Sequence, residues 1–124
     1  MVYSRYLVLV VKKNGKEIHV RSIFLQGLFF MDTEKLPDKL ITLKDTLIEL
    51  HRKASNSDLD MASLALNFCL QNNDIDGVLI GVENATQLSE NMESLQDHIS
   101  NEIMREILDI RVTDPSLLNP VNWQ

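Results

Sequence analysis

The clearest chemical signal in this sequence is a pair of polar residues at one spacing, Asn84 and Gln87 in Asn84-Ala85-Thr86-Gln87. An Asn followed three residues later by Gln resembles a capping box, with Asn84 as helix N-cap and Gln87 reaching back to the backbone. Directly before it stands Gly77-Val78-Leu79-Ile80-Gly81, an apolar run between glycines. That run predicts a short parallel strand covered on both faces. A helix N-terminus is thereby set at the carboxyl end of a buried strand. Ligands of α/β proteins bind at that end, and helix N-termini favour anions.

The other residue types that could do chemistry stand apart from one another. His19 falls on a predicted strand, and His51 and His98 on predicted helix surfaces. That spacing supplies no metal pair, and each histidine reads as a packing or solvated residue rather than a catalytic base. Asp58 and Asp60 read as charges at a helix start rather than a cation site. Tyr3 and Tyr6 lie at the N-terminus with no catalytic context. The single cysteine, Cys69, sits in an apolar helical pattern, which predicts a buried structural thiol.

Composition narrows the classes. A chain of 124 residues with 44% hydrophobic and 24% charged residues fits one globular domain, 1–124. The net charge of −6 argues against nucleic acid as a primary partner, because phosphate backbones select basic surfaces. The apolar run Tyr6–Val11 is too short to span a bilayer and lacks a small-residue cleavage site, so the expectation is a cytoplasmic protein with no membrane partner.

Periodicity then places the elements. Residues 5–13 are ambiguous: their β-branched content favours a strand, whereas a helix, the preferred reading, would carry Lys12 and Lys13 in its last turn with Gly15 as the terminating glycine. Glu17–Phe24 reads as a strand. Leu25–Asp32 is an apolar loop whose Phe29, Phe30 and Met31 must pack on something. Pro37–Lys53 is an amphipathic helix with Leu40, Leu43, Leu47 and Leu50 on one face. A helix over 58–71 turns Met61, Leu64, Ala65, Phe68 and Cys69 to one side. Strand 77–81 follows, then a helix over 85–98 with Leu88, Met92 and Leu95 inward. A helix over 101–109 and a tail containing Pro115, Pro120 and Trp123 end the chain.

Two blocks carry a family resemblance. Ile80-Gly81-Val82 with Gln87-Leu88-Ser89-Glu90-Asn91 resembles the eighth strand and eighth helix of bacterial aldo-keto reductases. Val20-Arg21-Ser22-Ile23-Phe24-Leu25-Gln26-Gly27-Leu28 resembles their seventh strand and the loop after it. The resemblance runs over roughly residues 7 to 123. It implies an α/β fold, a partial TIM (β/α)8 barrel made of the C-terminal two strand–helix units plus flanking helices. A whole barrel takes about 250 residues. It implies an NAD(P)H-dependent oxidoreductase of aldehydes or ketones. Ser22, Phe24 and Gln26 would contact the pyrophosphate, and Gly81, Val82, Gln87, Glu90 and Asn91 the adenosine end of NADP or NAD. Many relatives have Lys, Ser and Arg where this chain has Gly81, Val82 and Gln87. Arg21 stands where many have an aromatic residue under the nicotinamide. The choice between NADP and NAD therefore stays open.

No match exists for the family's catalytic Asp, Tyr, Lys and His, which lie in the first half of the barrel. The resemblance thus implies a C-terminal fragment that is inactive alone, with no catalytic or metal residues. The alternative is a non-catalytic assembly module that homo-oligomerises through open strand edges. Without the resemblance, Asn84 and Gln87 simply cap, Gly77 and Gly81 simply turn, and Glu90 and Asn91 are exposed helix residues.

Overall fold

A computed structural model describes residues 5–21 and 23–123. They form five α-helices, several 3-10 turns and one pair of short strands: α1 (Arg5–Lys13), β1 (His19–Val20), α2 (Lys44–Asn56), α3 (Met61–Leu70), β2 (Gly77–Val78), α4 (Ala85–Ser94) and α5 (Asn101–Asp109). β1 and β2 pair in parallel, His19 opposite Gly77 and Val20 opposite Val78. The long crossover between them carries α2 and α3, as a parallel connection requires.

This architecture corrects the expected partial TIM barrel. The described chain is a small, mostly helical domain with only two short parallel strands. The expected strands 17–24 and 77–81 keep only two residues of ladder each. A strand exists only where a neighbour accepts its hydrogen bonds, and each strand here has one neighbour. The ladder ends with the Leu79 N–H donating to the Val20 carbonyl at 2.8 Å, and after β1 the backbone turns to local bonds, such as Gly27 N–H to the Phe24 carbonyl at 3.1 Å. The apolar side chains that a barrel would bury between sheet and helices are buried by helices and turns.

Helix α3 is the centre. Asp60 caps it, its carboxylate accepting the Ser63 N–H at 2.7 Å. Leu66 and Cys69 pack with Ile23 and Ile75 beneath the strand pair. Met61 and Leu64 pack with Ala54 and Ile99 toward α2 and α5. A separate leucine cluster joins Leu28, Leu36, Leu40, Leu43 and Leu47 to Leu117 of the tail, with Trp123 and Met31 against its edge. The expected helix over 37–53 is there in part. Asp38–Leu43 winds as 3-10 helix before α2 begins, and α2 runs on to Asn56. The expected apolar loop Leu25–Asp32 does pack: Leu28 is fully buried, although Phe30 stays exposed.

Polar side chains fasten the elements. Lys12 of α1 donates to Asp76 at 2.8 and 2.9 Å, and Asp76 also accepts the Ile18 N–H at 2.7 Å. One carboxylate therefore ties α1 to the entry of both strands, and its contact with Lys12, then with Ile18, holds its pKa below the ordinary value. Lys53, buried on α2, pairs with Glu106 of α5 and with Glu49 at 3.6 Å. The hydrogen bond to Glu106 raises its pKa.

Helix α4 departs most from expectation. Leu88, Met92 and Leu95, expected inward, are 47%, 58% and 42% exposed. The helix is seated on α3 by its polar side. Asn67 donates from Nδ2 to the Ser94 carbonyl at 2.7 Å, and Ser63 Oγ donates to Asp97 at 2.6 Å. Gln71 grips the next segment in both directions: its Nε2 donates to the Ile99 carbonyl and its Oε1 accepts the Ile99 N–H, each at 2.8 Å. These bonds fix which face of α4 turns in, and it is not the apolar one.

Candidate functional site

The carboxyl ends of β1 and β2 lie side by side, because the strands are parallel and in register. The segments that leave them form the candidate site. After β1 the chain passes Phe24 (φ −97°, ψ 4°) and enters a left-handed run: Leu25 (φ 47°), Gln26 (φ 53°, ψ 36°) and Gly27 (φ 82°). Left-handed conformations cost roughly 1–2 kcal/mol for a residue such as Leu. A right-handed residue followed by a left-handed one turns successive N–H groups to one side, the geometry of an anion-binding nest.

After β2 the chain reaches the N-terminus of α4. Asn84 is its N-cap, with Oδ1 accepting the Gln87 N–H at 2.9 Å. Gln87 Oε1 accepts the Glu83 N–H at 2.8 Å, one residue before the cap. The box expected from the sequence is present, shifted by one residue on its return bond. It also places the amide end of a helix dipole beyond β2, where partial positive charge gathers.

The residues named from the resemblance divide as follows. Ser22 lies outside the described residues. Phe24 is half-buried and packs against the Ile23–Leu66–Cys69–Ile75 cluster, with its ring 5.3 Å from that of Phe30 and tilted by 56°. It is a packing residue whose backbone starts the nest. Gln26 is exposed within the left-handed run. Gly81 and Val82 are exposed, and a Cβ built at Gly81 meets nothing within 4 Å. Gln87 is committed to the cap. At helical spacing Gln87, Glu90 and Asn91 share one side of α4, with Asn91 next to the Leu88–Met92–Leu95 stripe and Glu90 farthest from it; Glu90 is exposed and Asn91 half-buried. Arg21 is exposed. The strand pair thus starts the two blocks, 24–27 and 81–87, from neighbouring strand ends although they are far apart in sequence.

Other candidate groups stay dispersed. His19 is exposed and sits 3.1 Å from Glu17. His51 lines an open groove of about 320 Å³ with Phe29, Phe30, Ser55, Leu59 and Met61. His98 is exposed. Cys69 is buried, and desolvation pushes its thiol up to about 11, which keeps it protonated and inert at neutral pH. Among the described residues, no group of three His, Cys, Asp or Glu side chains could hold a metal ion. No helix among them is long and apolar enough to cross a membrane.

Sequence reasoning missed the polar seat of α4. Ser63, Asn67 and Gln71 recur at i, i+4 and i+8 along α3, an otherwise apolar helix. That stripe was the available signal, since buried polar side chains on one helical face need partners. No protein-family model matches the chain.

Proposed function

We propose that this chain is a non-catalytic relative of aldo-keto reductases that binds the phosphates of a nicotinamide dinucleotide and reduces no carbonyl by itself. One observation carries the reading. Two sequence-distant segments with anion-favouring backbones, the turn 24–27 with its left-handed residues Leu25–Gly27 and the capped start of α4, leave adjacent parallel strands at the same end. Both offer N–H groups, and neither needs a charged side chain to attract phosphate. The exposed Glu90 and the half-buried Asn91 stand one turn into α4, where they would meet the adenosine end. The resemblance supplies no residue to deliver a proton, a contribution of about 10²–10⁴-fold in rate.

The test is calorimetric titration of the chain with NADPH and NADH, paired with a carbonyl-reduction assay. Expected are weak binding of both cofactors and no turnover above buffer. Gly81→Lys fills open space and adds a cation beside the helix start, so it should shift preference toward NADPH by about two- to fivefold, the size of an exposed charge-assisted contact. Asn91→Ala should weaken both cofactors, and His51→Ala neither. Absence of binding, or binding untouched by Gly81→Lys and Asn91→Ala, refutes the reading.

A second reading, that the chain is an assembly module, is favoured by the outer edges of β1 and β2, which have no strand beside them among the described residues.

A further inference from the structure

Two of the four glycines follow an Asn or an Asp: Asn14-Gly15 and Asp76-Gly77. Such a pair can cyclise. The glycine nitrogen can reach the side-chain carbonyl carbon before it, because no Cβ shields the approach. The fold brings both pairs to one junction, since Lys12, at the end of α1, holds Asp76 at the entry to β2.

The two pairs are held differently. Asp76 accepts from Lys12 at 2.8 and 2.9 Å and from the Ile18 N–H at 2.7 Å, and the Gly77 N–H is engaged by the Ile18 carbonyl at 3.3 Å. Its carboxylate is kept ionised by Lys12 and then Ile18, and an ionised carboxylate offers no leaving group. Asn14 is a neutral amide, exposed in the turn after α1. Gly15 is exposed too, at φ +70°, with nothing within 4 Å of an added Cβ. What restrains Asn14 are bonds of one terminal turn. Its Nδ2 donates to the Val10 carbonyl at 2.8 Å, and the Gly15 N–H to the Lys12 carbonyl at 2.9 Å. Bonds at a helix end open at the least free energy.

We propose that Asn14 is a site of spontaneous deamidation whose product loosens α1 from the strand pair. The Gly15 nitrogen loses its proton to hydroxide and bonds to Asn14 Cγ. The Cγ–Nδ2 bond breaks, and Nδ2 takes a proton from water and leaves as ammonia. Water then opens the five-membered imide at either carbonyl, giving aspartate or isoaspartate. Nothing is oxidised or reduced. The product no longer donates to the Val10 carbonyl, and its negative charge stands at the C-terminal end of α1, where the helix dipole favours cations. Isoaspartate also inserts a methylene into the backbone between Lys12 and β1.

The full chain is incubated for weeks in warm, mildly alkaline buffer, and peptide mass spectrometry follows each asparagine. Asn14 should convert at least about tenfold faster than the exposed Asn56, Asn73 and Asn84, none of which precedes glycine. Asp76 should stay aspartate. Asn14→Gln keeps the amide but needs a six-membered ring, so conversion there should fall to background. The α1 amides of aged wild type should exchange about fivefold faster than those of fresh protein, as for loss of one hydrogen bond. Those of aged Asn14→Gln should not change. Conversion at Asn14 no faster than at Asn84, or seen only in urea, would overturn the site. Isoaspartate forming as fast at Asp76 would overturn the distinction between the pairs. Deamidated chain whose α1 amides exchange as in fresh protein would overturn the loosening.

Discussion

Replacing Gln71 should cost more stability than removing any single methyl from the core. Its side-chain amide closes a two-bond ring with the backbone of Ile99, both bonds at 2.8 Å. Ile99 is 0% exposed, so neither its N–H nor its C=O can turn to solvent. In Gln71→Ala two hydrogen bonds worth about 1 kcal/mol each are lost, and the stranded backbone groups add a desolvation cost of similar size, so the loss should be about 2–4 kcal/mol. For a domain of this size that lowers Tm by roughly 8–16 °C. Gln71→Glu keeps the acceptor for the Ile99 N–H but sets a carboxylate against its carbonyl, and should fall between alanine and wild type. Urea unfolding at fixed concentration gives the free energies, and amide exchange at Ile99 gives a local readout that should accelerate in parallel. Gln96→Ala, an exposed glutamine nearby, should stay within about 0.5 kcal/mol of wild type. If Gln71→Ala unfolds within that same margin and the Ile99 amide exchanges as before, the seat of α4 does not depend on this ring.

Two further outcomes follow from the ionisable groups. The carboxylate of Asp76 is held below its ordinary value of 3.8 by Lys12 and then by the Ile18 N–H, so its stabilising contribution is present above that value and is lost as pH falls through the lowered folded pKa. Asp76→Asn should therefore flatten the acid limb of stability against pH and speed amide exchange in α1; an unchanged acid limb would count against the staple. Cys69, pushed up to about 11 by burial, should react with a disulfide reagent at neutral pH at least about a hundredfold more slowly in the native chain than in urea, and comparable rates would mean that the α3 face is open.

What the sequence made legible was local. Gly15 after Lys12 and Lys13 ends α1 as expected, with φ +70° and its N–H bonded to the Lys12 carbonyl. The Asn84–Gln87 pair caps α4, and α5 occupies the expected span. Each of these depends on residues within one turn. The strands were not legible because pairing is a property of two segments. Glu17–Phe24 has strand composition, yet only His19 and Val20 find a partner ladder. The orientation of α4 failed for a related reason. Leu88, Met92 and Leu95 specify a face that wants burial, but the partner that the chain supplies is the polar stripe Ser63–Asn67–Gln71 on α3. The candidate site shares this division: its cap could be read directly, whereas the left-handed turn at Leu25–Gln26 has no sequence marker beyond Gly27.

The hydrogen-bonded seat of α4 gives this helix a different response to temperature from the rest of the domain. Releasing the leucine cluster around Leu28, Leu40 and Leu47 exposes apolar area and raises the heat capacity. Releasing α4 exposes mainly the amides and hydroxyls of Asn67, Ser63 and Gln71, and polar exposure lowers it. The two parts of one small molecule therefore depend on temperature differently, and cooling erodes the hold of the leucines more than that of the hydrogen bonds under α4.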